Sequence, residues 1–184
     1  DQFIDLTKRR VSSFFEDGIV GHVAFSDPVC SIMADAAYAA AKATGARAHK
    51  GGTYVCIEGP QFSTRAESLV YRSWGVSVIG MTNMPEAKLA REAELPYATL
   101  ALSTDYDCWH SSEESVTVEM VIATLTKNVR FAREVAKHLA ANLPDVSKSL
   151  AKDALKNAVM TAPEKMPQAT RERLAWLLQP PSSH

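Results

Sequence analysis

Thr53-Tyr54-Val55-Cys56-Ile57, then Glu58-Gly59-Pro60, then Thr64-Arg65-Ala66-Glu67, then Val76-Ser77-Val78-Ile79-Gly80-Met81: this succession between residues 53 and 81 decides the fold class. The first run is rich in β-branched and aromatic residues and predicts a strand. Glu58-Gly59-Pro60 ends it. Thr64 and Glu67 have the spacing of a capping box, so a helix opens there and runs to Gly75. Val76–Met81 is apolar but too short for a helix, which predicts a buried strand. Pro85-Glu86 starts a further helix, with Leu89, Ala90 and Ala93 on one face. Tyr97-Ala98-Thr99-Leu100-Ala101-Leu102 predicts a third strand, running into Ser103-Thr104-Asp105-Tyr106-Asp107. Strand alternating with helix implies an α/β fold, a mixed and largely buried central sheet flanked by helices. Ligands in such folds gather at the carboxyl ends of strands. Three turns therefore stand out: Glu58–Thr64, Met81–Asn83 and Thr104–Asp107.

Upstream, Val20–Phe25 suggests a short strand ending at Ser26-Asp27-Pro28. Pro28 suits the first turn of a helix over 29–43, with Asp27 as its cap and Gly45 as its stop. The opening Asp1-Gln2-Phe3-Ile4-Asp5-Leu6 carries no Met and suggests the start of neither a helix nor a strand. Downstream, Val118, Val121, Ile122, Leu125, Val129, Ala132, Val135, Ala136 and Leu139 recur at three- and four-residue steps. That is the apolar stripe of one long helix, starting near Thr117. Two shorter helical stretches follow Asn142-Leu143-Pro144. The expected organisation is a single domain over 1–184, with 143–184 as its helical extension.

With 184 residues, 46% hydrophobic and 22% charged, the composition is that of a globular domain and excludes a disordered tail or a disulfide-rich miniprotein. The longest apolar run, Ala36-Ala37-Tyr38-Ala39-Ala40-Ala41, falls far short of the roughly 18 residues of a membrane span. Twenty basic against 21 acidic side chains leave a net charge of −1, without the basic surplus that nucleic acid or an anionic membrane calls for. The surplus is local: residues 1–126 hold 10 basic and 16 acidic groups, residues 127–184 hold 10 and 5, a solvated basic tail on an acidic body. Cys30, Cys56 and Cys108 are odd in number and widely spaced, which argues for reduced buried thiols rather than disulfides or structural zinc. A cytoplasmic location is expected.

Asp105 and Asp107 end an apolar strand, and a spacing of two puts both on one face of an extended chain. Neighbouring carboxylates disfavour each other's ionised form, and a carboxyl that keeps its proton can serve as an acid. By itself Asp-x-Asp equally suits a solvated strand end or a helix cap. With His110 it has the look of a metal set, but no second ligand cluster accompanies it, so no metal is expected. Met81-Thr82-Asn83 joins a strand to a helix start, where backbone N–H groups and a hydroxyl suit an anion or simply cap the helix. His22, in an apolar stretch, has the setting of a structural histidine.

Three long segments carry more than these local signals: Ile57-Glu58-Gly59-Pro60-Gln61-Phe62-Ser63-Thr64-Arg65-Ala66-Glu67-Ser68, Gly80-Met81-Thr82-Asn83-Met84-Pro85-Glu86 and Ser103-Thr104-Asp105-Tyr106-Asp107-Cys108-Trp109. In order and spacing they resemble the trimeric purine nucleoside phosphorylase family, most closely its branch acting on 5′-methylthioadenosine. Asp1-Gln2-Phe3-Ile4-Asp5, His22 and Asp27-Pro28 fit the same pattern, and the likeness extends over about residues 1–142. The resemblance implies a nucleoside phosphorylase-like fold and phosphorolysis of the N-glycosidic bond of a purine nucleoside, in purine and methionine salvage. Inorganic phosphate would be the co-substrate, with no cofactor.

Residue by residue, the resemblance implies that Asp105 faces N7 and the 6-amino group of the base, with Asp107 and Thr104 beside it. Phe62 walls the base and Ser63 meets its edge. The Met81 backbone meets the ribose hydroxyls and Thr82 the phosphate. Val118, Val121 and Ile122 line a pocket for the 5′-methylthio group, where nucleoside-preferring relatives carry a histidine. His22 closes the pocket, commonly from a neighbouring subunit, which implies a homotrimer. Relatives using 6-oxopurines resemble this chain but have Asn in place of Asp105 and Glu in place of Ser63, so adenine is expected over hypoxanthine or guanine. In the family a glycine loop, an Arg-His pair and a further Thr hold most of the phosphate, upstream of what matches Asp1, and this sequence contains none of them. The fold is thus expected to be incomplete at its amino end, with the missing half on the same or a second chain. Two other outcomes stay open: a purine nucleoside or methylthioinosine phosphorylase, and a non-catalytic fragment that binds purines or completes an oligomer.

Overall fold

The computed structural model describes residues 1–109 and 118–178, with the helical backbone alone for Val118, Met120 and Val121. Expectations on His110, on Thr117 and on the side chains of Val118 and Val121 lie outside the described residues. Three strands, β1 (Gln2–Asp5), β2 (Thr53–Cys56) and β3 (Val76–Gly80), form a sheet in the order β1-β2-β3 with both pairings parallel. Around it lie α1 (Ser31–Ala43), α2 (Arg65–Ser73), α3 (Glu86–Glu92) and α4 (Val118–Ala141). A 3-10 turn over Pro163–Lys165 and two short helices, α5 (Gln168–Arg173) and α6 (Ala175–Leu178), end the described chain.

The central strand β2 is covered on both faces, as a strand in a parallel sheet must be. Val55 and Ile57 point to one side and pack with Tyr71, Ile4, Leu6, Val76, Ile79 and Met81. Cys56 points to the other and packs with Met84, Ala87, Phe3, Phe25, Tyr54 and Tyr97. The two-residue alternation of a strand produces this division. The rings of Phe3 and Tyr54 meet edge-on at 6.2 Å, and those of Phe3 and Tyr97 at 6.3 Å. α1 and α4 pack through Ala40 and Ala41 against Val135, with Leu139 beside them. Phe15 and Ile19 are buried against Leu174 and Leu177, which fastens the tail to the early part of the chain.

The capping box opens α2 as the sequence predicts. The Thr64 hydroxyl accepts from the Glu67 amide at 3.2 Å, and the Glu67 carboxylate accepts from the Thr64 amide at 2.7 Å. Trp74 caps the other end and Gly75, at φ 77°, leaves the helix.

Four local expectations are corrected. The opening residues form β1, because Gln2–Asp5 has the free edge of β2 to pair with. Val20–Phe25 is not a strand: Gly21 makes an isolated antiparallel bridge to Val159, and nothing extends it. Asp27 does not cap α1. Its carboxylate accepts from the Ser26 hydroxyl at 2.9 Å and its carbonyl from the buried Arg91, leaving Cys30 at the cap position without a side-chain bond. Tyr97–Leu102 runs without regular structure. Strand propensity needs a partner edge to become a ladder, and Tyr97 instead gives its carbonyl to the Cys30 amide at 2.8 Å.

Candidate active site

The parallel register brings the carboxyl ends of all three strands to one edge of the sheet. Leu6 donates its amide to the Cys56 carbonyl at 2.9 Å, and Ile57 donates to the Gly80 carbonyl at 2.9 Å. The Glu58–Thr64 and Met81–Asn83 turns therefore emerge side by side. They approach so closely that a side chain at Gly59, whose φ is 70°, would have its Cβ 2.6 Å from the Met81 sulfur. Only glycine suits both that conformation and that contact.

The third turn reaches the same region through α2. Ser68, 1% exposed, donates its hydroxyl to the Asp107 carboxylate. The Cys108 thiol donates to the Ser63 carbonyl at 3.8 Å, and the Arg72 guanidinium lies 3.7 Å from the centre of the Trp109 ring. Sequence distance between these partners is about forty residues, so α2 is the element that assembles them.

Within the turn, the two acids are not on one face of an extended chain. Asp107 sits at φ 62°, and its amide donates to the Asp105 carboxylate at 2.8 Å, folding the backbone back on itself. The other Asp105 oxygen accepts from the Thr104 hydroxyl at 2.7 Å. Asx turns of this kind compete with strand geometry wherever Asp has a free amide two residues on. Asp105 and Thr104 are exposed, and Asp107 is half-buried.

The remaining candidates are spread more widely. Phe62 is 88% exposed. Ser63 is half-buried. Met81 is half-buried and Thr82 exposed. Ile122 is exposed on α4, as are Leu125 and Val129, while Val135 further along the same stripe is buried. His22 is exposed, and its amide donates to the Ala158 carbonyl at 2.9 Å. Of the three thiols expected to be buried, Cys30 and Cys56 are, and Cys108 is exposed. Burial pushes the Cys56 thiol pKa up, which keeps it protonated and inert.

One residue, Arg10, escaped the sequence analysis, and Asn83 entered it only as the end of a turn. Arg10, in the irregular stretch after β1, donates from Nη1 to the Met81 and Met84 carbonyls at 2.6 and 2.5 Å and from Nη2 to the Glu58 carbonyl at 2.9 Å. Its Nε stands 3.6 Å from the Glu58 carboxylate, which also accepts from the Lys8 amide at 2.8 Å. No motif or spacing distinguishes Arg10 from its neighbour Arg9. Asn83, 3% exposed, has both amide atoms buried without a partner among the described residues. Only its place in a strand-to-helix turn pointed to it. Unspent polar capacity in a buried side chain costs about 1–3 kcal/mol, and Asn83 places such capacity in the Met81–Asn83 turn.

Residues 1–141 match the Phosphorylase superfamily, and the chain belongs to that family. It is similar to S-methyl-5′-thioadenosine phosphorylase of Thermosynechococcus vestitus, 56% identical over 186 residues, covering 97% of this chain and 63% of that protein. It is 52% identical over 178 residues to the enzyme of the same name from Koribacter versatilis, with 97% and 61% covered. Among solved structures, a methylthioadenosine phosphorylase from an antarctic soil metagenomic library superposes with a TM-score of 0.87 at 50% identity, over 96% of this chain and 63% of that one. Methylthioadenosine phosphorylase from Schistosoma mansoni in complex with adenine gives 0.76 at 32% identity, over 86% and 64%. The chain thus spans a little under two thirds of the length of these relatives. The fold is the nucleoside phosphorylase fold, a sheet flanked by helices.

Proposed function

We propose that the protein cleaves the N-glycosidic bond of S-methyl-5′-thioadenosine with inorganic phosphate, giving adenine and 5-methylthioribose 1-phosphate. The observation that carries this reading is the docking of the Thr104–Cys108 turn on α2 through Ser68–Asp107 and on the loop before α2 through Cys108–Ser63, which sets an acidic turn beside the Ser63 edge. As the bond breaks, positive charge grows on the sugar and negative charge on the purine. A group that neutralises the base at N7 lowers that barrier more than it stabilises the bound substrate. Asp105 faces N7 and, through its other oxygen, the 6-amino group of the base. Asp107, held by Ser68, fixes the turn through its amide. Ser63 and Phe62 bound the base, Thr104 orients Asp105, and the Met81 turn takes the ribose, with Thr82 contributing to phosphate.

Val118, Val121 and Ile122 form the 5′-methylthio pocket and His22 closes it from a neighbouring subunit of a homotrimer. The chain is one domain, 143–184 included, and works in the cytoplasm. No described helix is long and apolar enough to cross a membrane. The test is adenine release from methylthioadenosine by the complete polypeptide as its gene encodes it, with and without phosphate. Release only with phosphate, and faster than from methylthioinosine, is expected. Release independent of phosphate, or a preference for methylthioinosine, overturns the reading.

A further inference from the structure

The geometry points to Arg10 as a positioning residue that sets the spacing between the base-binding and ribose-binding turns. This rests on the reading of those turns given above. Arg10 comes from neither turn. It enters from the stretch after β1 and spends its donors on carbonyls of both: Glu58 on one side, Met81 and Met84 on the other. Its Nη2 also stands 3.5 Å from the Ile57 carbonyl, just past the last residue of β2. The Glu58 carboxylate beside Nε offsets the charge and is itself held by the Lys8 amide. Beyond Ile57 and Gly80 the strand ladder no longer ties the two turns together; Gly59 packs against the Met81 side chain, and the hydrogen-bonded bridge described between them is this guanidinium.

The residue type is decisive. A guanidinium presents five N–H donors in one rigid plane, whereas an ammonium presents three from a single atom and cannot span two pairs of carbonyls in fixed directions. Lysine would keep the charge and lose the spacing. A nucleoside occupies both turns at once, so an error in their separation displaces the glycosidic bond from the acid. Free adenine needs only one turn and is indifferent to it.

The experiment compares Arg10→Lys and Arg10→Ala with the unaltered complete protein, reading kcat/KM for methylthioadenosine, the dissociation constant for adenine, and thermal unfolding. In Arg10→Lys the nucleoside kcat/KM falls about 10- to 100-fold, the size expected for a misplacement near 1 Å, while adenine affinity stays within about threefold. In Arg10→Ala, added guanidinium ion restores part of the lost turnover. Equal losses for nucleoside and adenine, full activity in Arg10→Lys, or failure of both variants to fold would each overturn the proposal, the last by assigning Arg10 to stability alone. If the unaltered protein neither turns over methylthioadenosine nor binds adenine, it is the functional reading that fails.

Discussion

Ser68→Ala removes one oxygen from a site that is 1% exposed, and the oxygen it removes is the one that holds Asp107. A hydrogen bond to a charged group contributes about 1.5–3 kcal/mol. Against it stands the left-handed backbone of Asp107, at φ 62°, which costs an L residue about 1–2 kcal/mol. The bond is therefore of the size needed to keep that backbone in place, and without it the turn relaxes toward an extended form that swings Asp105 with it. If the whole of the bond is lost from the transition state, kcat/KM for methylthioadenosine drops about 10- to 150-fold. Asp107 is half-buried, so water takes up part of the vacancy and a loss near the lower end, about tenfold, is expected. The assay is adenine release under phosphate saturation, with a thermal melt of each variant to separate misplacement from unfolding. A double-mutant cycle with Asp107→Ala, which removes the acceptor, isolates the pair: in that background Ser68→Ala should add little, since the two changes act on one contact. Activity of Ser68→Ala within about twofold of the unaltered protein, or strict additivity in the cycle, would refute the positioning role.

Other outcomes follow from individual contacts. Burial raises the Asp5 pKa, but the Lys88 ion pair and the Thr7 hydroxyl and amide outweigh it, so the net position is below the ordinary carboxylate value. A depressed acid adds stability in full above its unfolded pKa, about 3.9, and loses it as pH falls through the folded value. Asp5→Asn should hence destabilise at neutral pH and converge with the parent in strong acid, and a difference in melting temperature that stays constant with pH would contradict this. With Cys108 exposed and Cys30 and Cys56 buried, a thiol reagent should titrate one cysteine rapidly in the native protein and all three after unfolding; mass spectrometry of the labelled chain checks which. Thr64→Ala removes the hydroxyl half of the α2 capping box and leaves the Thr64 amide on the Glu67 carboxylate, and should cost about 0.5–2 kcal/mol in denaturant melts. Because α2 carries Ser68, that variant should also lower activity more than a distant cap change of equal cost.

The strands and helices that proved legible are those whose own residues settle the matter. Val55 and Ile57 alternate with Tyr54 and Cys56 between two apolar layers, and the Thr64–Glu67 box marks a helix start by chemistry contained within four residues. Where the outcome depends on a distant partner, local pattern fails in both directions. Gln2–Asp5 becomes a strand because β2 offers an edge, and Tyr97–Leu102 does not, though its residues favour one. Asp27 has the best capping side chain near α1, yet Arg91, far away in sequence, claims its carbonyl.

The site divides along the same line. The turns at strand ends are predictable from the alternation of elements, and the Asp105 and Asp107 pair from its place at such an end. Their relation to each other is not, because the Asx turn through the Asp107 amide inverts the backbone where extended geometry was expected. Arg10 and Ser68 are less visible still. One donates to backbone carbonyls, which any sequence supplies, and the other to a carboxylate 39 residues away. A residue whose partners are main-chain atoms leaves no complementary side chain to pair it with. Positioning groups of this kind therefore emerge only when the strand register has fixed which carbonyls face one another, as the Ile57–Gly80 bond does for the two turns that Arg10 joins.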